Sequence, residues 1–92
     1  MNTEDEIRRG REAERLMSDP MLVEAFGAVE KAILDGLRTV DVGAKDAQRD
    51  LIVTLQLLGN LQRILKTHIQ TGELAQIAKQ ESLGKRILRR MA

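Results

Sequence analysis

An all-α fold is predicted for this chain: an antiparallel helical hairpin of about residues 20–39 and 46–71, with a short N-terminal helix, a bent C-terminal helix and a tendency to self-associate. Three observations predict it. Leu51, Leu58 and Leu65 recur every seventh residue, with Leu55, Leu61 and Ile69 at the three- and four-residue offsets of an amphipathic helix. The chain is 42% hydrophobic but only 1% aromatic, so its core must be built from Leu, Ile, Val, Met and Ala, which suits helix packing better than sheet packing. Ser18-Asp19-Pro20 is a strong helix boundary, because Asp caps a helix and Pro fits its first position, where no backbone donor is needed.

The N-terminal segment, 1–18, is charged. Thr3 with Glu6 has the form of a capping box and marks a helix start near Glu4. Glu4, Arg8 and Glu12 form a four-residue charge ladder and Asp5 with Arg9 another rung, each pair contributing about 0.2–0.5 kcal/mol. The apolar content is thin (Ile7, Ala13, Leu16, Met17), so this helix is expected to be largely solvated, to dock by its last turn and to fray at its beginning. Arg8, Arg9, Arg11 and Arg15 are interleaved with acids, the pattern of a solvated face more than of a phosphate-binding one.

The second helix begins at Pro20. Its expected inward line is Leu22, Phe26, Val29, Ile33 and Val40, broadened by Val23 and Leu37. Ala25, Ala28, Ala32 and Gly36 make one flank small enough for close approach of another helix, with Gly59 either its counterpart or a mild helix defect costing ~1 kcal/mol relative to Ala. Leu34 lies off the main stripe, either as an ordinary exposed Leu or as an intermolecular contact. Residues 39–45, TVDVGAK, form the connection, short enough to make its helices antiparallel neighbours; Asp41 or Asp46 caps the next helix.

In the central stretch, Leu57 and Ile64 add a second apolar line beside the first, widening the arc to roughly 160° against the ~100° stripe of an ordinary surface helix. One neighbour could not cover that arc. At least two others are expected to touch this helix, and Leu57 and Ile64 are placed at an interface between molecules. Gln62 either borders the core or fixes a helix register. Gly72 is a candidate helix stop. Beyond it, 73–92 is read as a basic amphipathic helix that changes phase and bends near 82–84. Leu83, Ile87, Leu88 and Met91 lie on one arc, a further candidate protein interface, and Lys85, Arg86, Arg89 and Arg90 on the other, a candidate contact for an anionic partner.

Ninety-two residues are one domain's worth, near the size at which a single core is only modestly stable. The net charge of +1 conceals an acidic front half, six bases against ten acids to Ala44, and a basic back half, nine bases against four acids from Lys45. That is not the uniformly basic surface of a dedicated DNA-binding domain. No aromatic platform exists for stacking single-stranded bases. There are no cysteines, which excludes disulfides and thiolate catalysis. No apolar run approaches ~18 residues, and the start is too charged for a secretory signal, so a soluble, intracellular chain without a membrane partner is expected. His68, the single histidine, has no nucleophile or ligand set arrayed with it and is read as structural; no phosphate-binding glycine motif occurs. Neither an enzyme nor a metal or organic cofactor is expected.

The blocks RGREAERLMSDPMLVEAFGAVEKAILDGLRT and LKTHIQTGELA, joined by a short link and a Leu-rich helix, resemble small uncharacterised helical proteins of tailed bacteriophages and prophages, encoded near head-morphogenesis and packaging genes. The likeness spans about 9–75, through Arg9-Gly10, the Leu16 to Phe26 block and the Thr71 to Ala75 ending; the near absence of aromatics and the basic tail depart from it. It carries no catalytic residues. It implies a non-enzymatic virion structural or assembly protein, found in the host cytoplasm or the virion, that packs its helices against itself and a larger virion or packaging component. The alternatives are a nucleic-acid-binding packaging or regulatory accessory using the basic tail, and a phage-encoded inhibitor of a host protein.

Overall fold

A computed structural model describes residues 2–91, and among these the chain is all-helical, with α1 at Thr3–Ser18, α2 at Pro20–Thr39 and α3 at Lys45–Met91. The residues divide into two compact units. One is α1 up to Leu16 with α3 from Leu65 onward; the other is Met17–Ile64, holding α2 and the first part of α3.

In the first unit, α1 starts one residue earlier than expected. Asn2, not Thr3, is the cap: its side-chain oxygen accepts from the Asp5 backbone N–H at 2.8 Å and its carbonyl from that of Glu6 at 3.2 Å. The charges pair differently from the expected ladder as well. Arg8 binds Asp5 at 3.3 Å, Arg15 binds Glu12, and Glu4 reaches the Lys79 ammonium on α3 at 2.7 Å. Arg15 holds the Glu12 carboxyl below its ordinary range, first by hydrogen bonding and then by charge. Docking is not confined to the last turn, because Ile7, Gly10 and Ala13 along the middle of α1 are the buried residues.

In the second unit, Asp19 caps α2 as expected, accepting from the N–H groups of Met21 (2.9 Å) and Leu22 (3.2 Å), with Pro20 opening the helix. Ile33 is buried, while Leu22, Phe26, Leu37 and Val40 are half-buried. Val29 and Val23 are exposed instead of facing inward, so the buried line of α2 is narrower than expected. Between α2 and α3, the Gln48 side-chain amide donates to the carbonyls of Asp41 and Val42, each at 2.9 Å. Gln48, which the sequence reading passed over, thus ties the connection to the first turn of α3. Asp41 instead accepts weakly from the Gly43 N–H at 3.4 Å.

The largest correction concerns α3. No stop occurs at Gly72 and no break at 82–84; the expected hairpin arm, 46–71, and the expected C-terminal helix, 73–92, are one unbroken helix as far as Met91. Gly72 has no left-handed φ, so it is not a C-cap.

Candidate interaction surfaces

The closest helix contact in the first unit is glycine on glycine. A Cβ placed on Gly10 would lie 2.9 Å from Cα of Gly72 and 2.9 Å from the His68 carbonyl oxygen. A Cβ on Gly72 would lie 2.9 Å from Cα of Gly10 and 3.0 Å from the Glu6 carbonyl oxygen. His68 precedes Gly72 by the same four residues by which Glu6 precedes Gly10, so the two sides of the crossing are equivalent. Glu4 pairs with Lys79 while Gly10 meets Gly72, so α1 and α3 run antiparallel here.

The sequence carries the same equivalence. Ile7-x-x-Gly10-x-x-Ala13 on α1 matches Ile69-x-x-Gly72-x-x-Ala75 on α3. With the glycines level and the directions opposed, Ile7 falls beside Ala75 and Ile69 beside Ala13. Each bulky residue therefore has a small one across from it, and Ile7, Ala13 and Ala75 are buried while Ile69 is half-buried. Sequence reasoning missed this site, although the shared IxxGxxA spacing was a usable signal for it. The glycine expected to be a helix stop is a contact point. Of the two readings of Gly59, counterpart to the small flank of α2 or mild helix defect, the open space around it removes the first, whereas a Cβ on Gly36 would lie 3.2 Å from the Leu51 side chain.

The candidate protein-interface residues are all exposed. In the second unit Leu57 is 62% exposed, Ile64 55% and Leu34 37%; Val53, Leu61 and Met21 are exposed too. Two helices touch α3, as expected, α2 beside Leu51 in this unit and α1 beside His68 and Gly72 in the other, but neither covers Leu57 or Ile64. In the first unit Leu83, Ile87, Leu88 and Met91 are exposed, as are Lys85, Arg86, Arg89 and Arg90. Leu83 and Arg86 flank a groove shared with Thr3 and Glu4 at the start of α1. Among the described residues those four cations make no ion pair, and Arg89 and Arg90 lie in the last turn of α3, where positive charge meets the negative end of the helix dipole.

His68 is half-buried on α3 at the glycine crossing, and its backbone carbonyl, not its ring, makes the close approach. Among the described residues no group of three His, Cys, Asp or Glu side chains is placed to hold a metal ion, and no helix is long and apolar enough to cross a membrane. Comparison with protein-family models, with curated proteins and with solved structures found no match to this chain.

Proposed function

We propose that this chain is a non-enzymatic structural or assembly protein of a tailed phage, acting by helix packing against itself and a larger virion or packaging component. The observation that carries the packing role is the thinness of the core. Among the described residues the buried apolar side chains are Ile7, Ala13, Ile33 and Ala75, two of them alanines, while Leu57, Ile64, Leu74, Ile87, Leu88 and Met91 are more than half exposed. A chain of this length has little margin to leave so much apolar surface in water, and covering it by association is the direct remedy. In this reading α2 and the first part of α3 form an antiparallel hairpin that presents the surface. The phage setting rests on the resemblance of residues 9–75. Mass spectrometry of purified virions tests it: a fixed copy number per particle is expected for a structural part. Absence from both mature virions and assembly intermediates contradicts the proposal.

The four exposed cations near the end of α3, which make no ion pair among the described residues, favour one second reading, an accessory that binds nucleic-acid phosphates through Lys85, Arg86, Arg89 and Arg90. Titration with duplex DNA separates the two. Binding that weakens steeply with salt supports this reading, and no binding at low salt removes it.

A further inference from the structure

We infer that the uncovered face of the second unit is a site for a second copy of the same chain, with Leu57, Leu61 and Ile64 of each copy seated in the alanine trough of the other's α2. This deepens the assembly reading above and rests on it. The argument begins with the face itself. Taking the line that meets α2 (Leu51, Leu55, Leu58) as the inward direction of α3, Leu57, Leu61 and Ile64 fall about 80–140° round the helix from it, at about 100° per residue. On α2, with Ile33 inward, Ala25, Ala32 and Met21 fall about 80–120° round in the same sense, each counted along its own chain direction, and Ala28 a little further. Because the two helices are antiparallel in the hairpin, equal senses of rotation along their chains point to the same side of the layer. One side is therefore a ridge of Leu and Ile beside a trough of exposed alanines. Leu34 and Val23 lie on the other side.

The register decides the occupant. Gly36 touches Leu51, which sets these residues level. Counting back along α2 while counting forward along α3 puts Leu57 level with Glu30, Leu61 with Phe26 and Ile64 with Val23. A twofold axis parallel to the helices lays α2 of each copy over α3 of the other while keeping every level. Leu57 then falls between Ala28 and Ala32 of the other copy, Leu61 between Ala25 and Ala28, and Ile64 between Met21 and Ala25. Knobs and holes alternate in step, as they do in four-helix bundles. The large apolar side chains of the face are open to be buried by such a partner, Met21 at 74%, Leu57 at 62%, Ile64 at 55% and Leu61 at 46% exposure.

The chain has no cysteines, so the pairing can be read by cross-linking. Full-length A32C and L57C proteins are prepared separately and oxidised with diamide, alone and mixed. The twofold arrangement holds Cys at position 32 near Cys at position 57 of the other copy and keeps like positions apart. A disulfide dimer is expected in the mixture and in neither protein alone, and Leu57→Asp should weaken wild-type association by at least about thirtyfold with helical circular dichroism retained. If the wild-type chain dimerises but the mixture yields no cross-link, or either protein links to itself as readily, this face is wrong and the assembly reading survives. A wild-type chain that stays monomeric overturns both.

Discussion

Alanine substitution should have opposite signs at two glycines of the same helix. At Gly72 the new methyl would meet Cα of Gly10 at 2.9 Å and the Glu6 carbonyl at 3.0 Å, whereas ordinary contact is about 3.5 Å or more. Neither neighbour is a flexible side-chain end, so α1 and α3 must part by roughly half an ångström, which forfeits much of the dispersion gained across the crossing. Overpacking of this kind costs about 1–3 kcal/mol. The gain in helix propensity returns about 1 kcal/mol, leaving a net loss of about 1–2 kcal/mol and a fall in Tm on the order of 5–10 °C. At Gly59 nothing lies within 4 Å of the added Cβ, so the propensity gain stands alone and Gly59→Ala should raise stability by about 0.5–1 kcal/mol. Urea unfolding of the two variants beside the wild type measures both. Equal stability of Gly72→Ala and Gly59→Ala would refute the close crossing.

Three further outcomes follow from the local contacts. Asp19→Ala removes the acceptor for the Met21 and Leu22 N–H groups and should lower stability by about 1 kcal/mol, read from the urea midpoint. Glu12 should titrate below the ordinary value of 4.5 by NMR, and more normally in Arg15→Ala. Because its folded pKa is depressed, the small stabilisation it gives α1 is present above the unfolded pKa and is lost as pH falls through the folded one. A double-mutant cycle on Glu4 and Lys79, an exposed pair, should return a coupling of about 0.2–1 kcal/mol that shrinks with salt; no coupling at low salt would contradict the contact.

The boundary at Asp19-Pro20 was legible because capping and proline chemistry act over a few residues. The seven-residue leucine spacing was legible for a similar reason: a regular helix converts spacing into direction. Gly72 was misread because glycine has two uses that look alike in sequence, ending a helix through a left-handed φ and letting another helix approach. Only the partner decides between them, and the partner is Gly10, far away in the chain. The IxxGxxA spacing held in common by 7–13 and 69–75 was the available clue. The apolar arc of the central helix was legible as wide, but not where its neighbours fall: α2 meets it at Leu51 and α1 only near His68 and Gly72, which leaves Leu57 and Ile64 exposed. Lys79 illustrates a different limit, since Glu4 had attractive local partners at helical spacing and takes one on α3 instead.

Sedimentation equilibrium of the full-length chain across a wide concentration range tests most directly the claim that its exposed apolar side chains are there to be covered by company. A reversible rise to twice the chain mass is predicted at micromolar concentrations, abolished by Leu57→Asp. A single chain's mass at every concentration would contradict it.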